Sequence, residues 1–124
     1  MSKRKGHAKQ LGDWGEQTAR TYLEGIGLAF IAKNVRTPYG EIDLVMRKGS
    51  QTHFVEVKTR SSNRFGFPEA AVDVQKAAHM VDSALFYLQE HPEYDTGWQV
   101  DVVAISIKKN QMQPEIEYFE NAIE

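Results

Sequence analysis

Between Gln10 and Ile26 apolar residues fall at Leu11, Trp14, Ala19, Tyr22, Leu23 and Ile26, a spacing that lays one stripe along a helix. Gly25 and Gly27 end it. The run LAFIAKNV, 28–35, is compact, apolar and partly β-branched, which predicts a strand, and TPYG then turns the chain. In EIDLVMR, 41–47, Ile42, Leu44 and Met46 alternate with Glu41, Asp43 and Arg47, so this strand carries one chemically unusual face. THFVEVKTR, 52–60, alternates again, with Val55 and Val57 on one side and Phe54, Glu56 and Lys58 on the other. A tight turn at Gly49-Ser50 makes the two runs a hairpin. In that register Asp43 faces Glu56, Glu41 faces Lys58 and Val45 faces Phe54, unless a bulge shifts the pairing.

After the Gly/Pro/Ser-bearing connection SSNRFGFPEAAV, Asp73 is an N-cap signal for a helix over about 74–89. Its stripe is Val74, Ala77, Ala78, Val81, Ala84, Leu85 and Leu88, and His91-Pro92 ends it. VDVVAISI, 100–107, reads as a buried strand and EIEYF as a short final one. The order α-β-β-β-α-β contains no repeat and no low-complexity linker. It predicts an α/β fold.

The 124 residues, 41% hydrophobic and 26% charged, suit a single domain over 1–124 that buries its own core, with a basic flexible tail at about 1–9. The absence of cysteine excludes thiolate catalysis, zinc ribbons and iron–sulfur clusters, and favours a cytoplasmic location. MSKRKGHAKQ has no apolar h-region and no run of 18 apolar residues occurs, so neither secretion nor membrane spanning is expected. The net charge of −2 averages over an uneven chain: 1–88 carry +4 and 89–124 carry −6. Lys3, Arg4, Lys5 and Lys9 form one basic stretch, and Lys58, Arg60 and Arg64 another. A polyanion would meet the first part of the chain.

The hairpin register sets the side-chain roots of Asp43 and Glu56 about 5 Å apart. Two carboxylates at ~4 Å repel by about 4 kcal/mol at an effective dielectric of about 20, a cost comparable to much of a small domain's stability. A cation between them would remove it. Lys58, two residues beyond Glu56 on the same face, is one candidate; a hard divalent ion, Mg²⁺ with Mn²⁺ as its substitute, is the other. The lack of Cys and His on that face argues against zinc. An Asp on one strand with Glu-x-Lys on its neighbour suffices for metal-dependent phosphodiester hydrolysis. The plainer account is an exposed Glu41–Lys58 ion pair, worth under about 1 kcal/mol, with Asp43 facing solvent.

GEQTARTYLEGIGLAFIAKNVRTPYGEIDLV, then FVEVKTRSSNRFGFPEAAV, a helix ending in YL and the closing ENAIE together resemble the YraN-like family of predicted endonucleases. The resemblance covers nearly the whole chain, and its specific part is GEIDL followed by FVEVKTR and FGFPEAAV. It implies the restriction-endonuclease-like fold, an α-β-β-β-α-β core with a mixed central sheet flanked by helices, together with a PD-(D/E)xK signature and kinship with archaeal Holliday junction resolvases. It implies that Asp43, Glu56 and Lys58 are the signature residues, with Glu16 of the GEQ segment as an additional acid, and that Asp43, Glu56 and Glu16 bind the metal. The hairpin register singles out the same three strand residues. Ile42 stands where the signature's nominal proline would be. Ala77, Ala78 and His79 follow Lys76 where relatives tend to carry several Arg or Lys, which weakens the expected grip on phosphates.

Glu16 lies on the shoulder of the first helix's stripe and can lean toward the sheet. Arg36, Arg60 and Arg64 are candidate phosphate donors, and Lys76 joins them in the first turn of the second helix, where backbone N–H groups attract anions. His7, His53, His79 and His91 share no metal-ligand spacing. Asp101, opening a buried strand, reads as a satisfied polar residue rather than a further catalytic acid. No basic–aromatic alternation marks a stacking platform. The leading expectation is a Mg²⁺-dependent endodeoxyribonuclease whose partner is DNA, branched or damaged forms included, with no membrane. The alternative is a non-catalytic nucleic-acid or protein-partner module that keeps the fold. Monomer and homodimer both stay open.

Overall fold

The computed structural model describes residues 3–60, 74–108 and 111–122, with side chains described from Lys9 in the first helix and from Ala77 in the second. Helix α1 (Lys3–Gly25) leads into β1 (Ala29–Thr37), β2 (Gly40–Lys48) and β3 (Gln51–Arg60); then come α2 (Val74–Glu90), a 3-10 turn at Pro92–Tyr94, β4 (Trp98–Ser106) and β5 (Glu115–Phe119). The strands lie in chain order in one sheet. β1, β2 and β3 pair antiparallel, β4 runs parallel to β3, and β5 returns antiparallel. The parallel step falls where α2 intervenes, because a hairpin only reverses the chain whereas a helical crossover carries it back to the same end. This is the mixed sheet flanked by helices that the resemblance implies.

The helices cover opposite faces. Ala19 and Leu23 of α1 pack on Leu44, Met46, Val55 and Val103, whereas Ala84, Tyr87 and Leu88 of α2 pack on Val45, Phe54 and Val100. Each buried Leu, Val, Met or Phe among them contributes about 1.5–3 kcal/mol, so the sheet is clamped from both sides. No helix among the described residues is long and apolar enough to cross a membrane.

Three expectations change. The stretch read as a flexible tail at about 1–9 is helical in its backbone from Lys3; it lacks an apolar stripe, but Lys, Arg, Ala and Gln are good helix formers, and Lys9 and Asp13 close an i,i+4 ion pair at 2.9 Å. Trp14, Ile26 and Leu85, placed on the apolar stripes, are 39%, 43% and 49% exposed. Gly15 rather than Trp14 meets the sheet, Ile26 falls past the end of α1, and Leu85 lies one residue round the helix from Ala84. The cap signal at Asp73 lies outside the described residues.

The third change matters most for function. The hairpin pairs Lys48 with Gln51, Met46 with His53, Val45 with Phe54 and Leu44 with Val55, as expected. Its apolar alternation nevertheless breaks at Asp43: Ile42 joins Val45 on the α2 side, while Leu44 and Met46 face α1. On the neighbouring strand Asn34, between the paired residues Lys33 and Val35, takes a left-handed φ of 52°, which Asn tolerates better than most residues. The two irregularities lie side by side and re-aim the polar groups there.

Candidate active site

At Gly15 a Cβ would collide with the Thr59 hydroxyl on β3, so glycine lets α1 approach the sheet and deliver Glu16 toward β1. With its amide nitrogen turned to the carboxylate, Asn34 donates to both Glu16 oxygens, at 2.9 and 3.2 Å. One step beyond the Leu44–Val55 pair, Asp43 Oδ2 accepts the Val57 N–H at 2.8 Å. The carboxylate thus takes the place of a strand acceptor. Glu41, Asp43 and Glu56 line one cleft, whose apolar wall includes Phe54 and Met80.

Burial pushes Asp43 up to about 7 against the pull of the Val57 N–H, and the charges of Glu56, Glu16 and Glu41 push the same way. Glu16 is raised too, first by burial and then by Glu41 and Asp13, with Asn34 and Lys33 opposing. Among the described residues no three Asp, Glu or His side chains already form a metal-ligating group. The donor set nonetheless fits a hard cation, since Mg²⁺ is usually held by one or two carboxylates and keeps several waters. Asp43 and Glu56 would supply two oxygen ligands whose mutual repulsion such an ion would relieve.

The other candidates are placed as follows. Lys58 is half-buried on β3, two residues beyond Glu56 and beside Ala104 of β4. Arg36, 90% exposed, is the cross-strand partner of Glu41, with Nε 3.9 Å from its Oε2. Arg60 is exposed at the end of β3, where its carbonyl accepts the Ile107 N–H at 2.8 Å. Arg64 and the side chain of Lys76 lie outside the described residues. Glu41, which the plainer sequence reading pairs with Lys58 at the surface, bears on both Asp43 and Glu16. Its signal is position, two residues before Asp43, on a strand whose break no alternation pattern shows.

Asp101 is the satisfied residue the sequence predicts. Its Oδ2 accepts from Tyr118 and from His53 Nδ1, each at 2.6 Å, and its Oδ1 accepts from the Asn121 N–H at 2.8 Å and Gln99 at 2.9 Å. Burial would raise this carboxyl, but the four donors outweigh burial and hold it below the usual range.

Residues 15–105 match the model of the uncharacterised protein family UPF0102. The UPF0102 protein of Syntrophomonas wolfei is 42% identical over 100 residues, covering 81% of this chain and 87% of that protein. Its counterpart from Geobacter metallireducens is 41% identical over 118 residues, 95% of each chain, and that from Shewanella sp. strain ANA-3 is 47% identical over 95 residues, 77% of this chain and 87% of that one. Among solved structures, Pyrococcus furiosus SfsA in complex with Ca²⁺ aligns with 94% of this chain and 65% of its own at 14% identity, with a TM-score of 0.40. That likeness is too slight to bear on the site.

Proposed function

The chain belongs to family UPF0102, the YraN-like family of restriction-endonuclease-like nucleases, and from that premise we propose that it is a metal-dependent endonuclease hydrolysing phosphodiester bonds in DNA. One observation carries this reading: Asp43, Glu56 and Glu41 share a cleft just past the last pair of the hairpin, with Asp43 anchored on the Val57 N–H. Folding gains nothing from acids so placed, whereas catalysis does.

In this reading Asp43 and Glu56 hold Mg²⁺ or Mn²⁺, and Glu16 completes the acidic shell. The bound ion supplies a water of lowered pKa and Lewis acidity toward the phosphate. The chain's own groups supply the positioning. The Val57 N–H fixes one Asp43 oxygen and Asn34 fixes Glu16, so neither carboxylate has to be ordered during the reaction. Lys58 orients the attacking water and balances charge developing on the phosphoryl oxygens. Arg36, Arg60, Arg64 and Lys76 contact phosphates away from the scissile bond. With a net charge of −2, DNA affinity is modest and falls steeply with salt.

Single-turnover cleavage in Mg²⁺ over linear, nicked, flapped and four-way DNA tests the proposal. Lys58→Ala is expected to bind DNA nearly as wild type does and to cleave about two orders of magnitude more slowly. Equal rates would remove Lys58 from the mechanism. A wild-type protein that binds DNA but cleaves none of these shapes would be a binding module.

A further inference from the structure

Glu41 stands between two clefts of different chemistry. Toward α1, a cleft of about 330 Å³ carries the cations Lys9 and Arg36 beside Asp13 and Glu16. Toward α2, a smaller cleft of about 180 Å³ is walled by Tyr39, His79, Met80 and Ser83, with Glu41 and Glu56 at its edge. Among its described lining residues the second cleft offers two carboxylates and no Lys or Arg, a setting that repels a phosphate. Its aromatic ring and thioether suit an uncharged planar group. Its volume lies below the roughly 300–1,000 Å³ of pockets that enclose drug-sized ligands, which limits it to one ring system.

Tyr39 is held in place before any ligand arrives. Its ring is 48% exposed and is backed edge-on by Phe86 of α2, with centroids 6.5 Å apart. Its N–H donates to the Thr37 hydroxyl at 3.0 Å; that hydroxyl donates to the Gly40 carbonyl at 2.8 Å and lies 2.9 Å from the Ser83 hydroxyl of α2. Gly40, at φ 144°, closes the turn in a conformation that glycine adopts without strain. A rigid aromatic presented this way loses little entropy on binding. Glu41, Glu56 and Met80 line both this cleft and the one containing Asp43, so the two adjoin.

We infer that Tyr39 is the stacking wall of a subsite for an unpaired nucleobase next to the scissile phosphate, and that the substrate is DNA with at least one unpaired nucleotide at the cleavage point. A base inside a continuous duplex is stacked on its neighbours and has to leave the stack to enter. The inference rests on the nuclease reading and names its substrate: one base of the cleaved strand turns toward α2.

The test measures binding of the full chain at low salt in EDTA to a flapped DNA whose junction base is 2-aminopurine, and to a fully paired duplex of the same sequence. Wild type is expected to quench the junction fluorophore and to prefer the flap. Tyr39→Ala should lose about tenfold in flap affinity with duplex affinity unchanged, and Tyr39→Phe should keep the wild-type value. Equal flap affinity for wild type and Tyr39→Ala, equal losses on flap and duplex, or no quenching by wild type overturns the inference. Should Tyr39→Ala fail to fold, wild-type quenching and Tyr39→Phe still decide. Tyr39-dependent quenching without cleavage in Mg²⁺ would keep the subsite and end the nuclease reading. Cleavage of every shape by Tyr39→Ala at the wild-type rate would do the reverse.

Discussion

Asp101 and Asp43 are both acids withdrawn into the same sheet, one on β4 and the other on β2. Asp101 collects four donors from β3, β4, β5 and the chain just after it, and is held below the usual carboxylate range. Asp43 has the Val57 N–H, burial and three acidic neighbours, and is pushed up to about 7. Hydrogen bonds to a charged group are worth about 1.5–3 kcal/mol each, so the first arrangement stitches β3, β4 and β5 together. The second works against the fold. A buried acid that serves structure brings its donors with it; in the proposed function, one with fewer donors serves what binds there.

The largest expected effect falls on activity at Asp43. If the acid serves a metal-dependent cleavage, Asp43→Asn should lower the single-turnover rate by about three orders of magnitude or more, ~4 kcal/mol of barrier, without lowering the melting temperature of the metal-free protein. A variant that cleaves at the wild-type rate would erase the contrast with Asp101. Next comes stability at Asp101. Asp101→Ala leaves His53, Tyr118, Gln99 and the Asn121 N–H facing an empty place, and should cost about 3 kcal/mol in urea unfolding. A loss below about 1 kcal/mol would mean that the donors find other partners and that the network is not what secures β5.

The two acids were not equally legible in the sequence. Asp43, Glu56 and Lys58 stand out because a short turn and the alternation of apolar positions specify a hairpin register, which the structure follows as far as Leu44–Val55 and which, carried one step further, predicts like charges close together. Asp101 can be read as a satisfied polar residue from its place at the head of an apolar run. Its partners cannot, because His53 and Tyr118 come from strands 48 and 17 residues away. Glu41 and Tyr39 escape for another reason. Their setting depends on the irregularity shared by Asn34 and Asp43 and on a turn tied to α2 through Thr37 and Ser83, and neither leaves a trace in the pattern of apolar positions. The helical start of α1 escapes because a helix of Lys, Arg and Ala needs no stripe to form.

The smallest expected effect, and the one that sets the two acids directly against each other, is the pH dependence of stability. Asp43 has a folded value raised from 3.8 to about 7, so the folded protein takes up its proton more readily than the unfolded chain does. Its contribution to stability is therefore present in full below about 4 and is lost as pH rises through about 7. Asp101 is displaced the other way: its contribution is present above the unfolded carboxylate value and is lost as pH falls below it. Between pH 8 and 5 Asp43 should act most, with Glu16 displaced in the same direction, so the metal-free wild type should gain on the order of 1–2 kcal/mol from Asp43 after allowance for solvent screening. Asp43→Asn should show no such gain, and below pH 4 both proteins should weaken together as Asp101 is protonated. Excess Mg²⁺ should stabilise wild type more at pH 8 than at pH 5, since protons and metal compete for the same carboxylate. Urea midpoints at pH 8, 6, 5 and 3, with and without Mg²⁺, measure all of this. Identical slopes in wild type and Asp43→Asn between pH 8 and 5 would show that Asp43 is as well accommodated as Asp101, and the case for a cation at the first site would go with it.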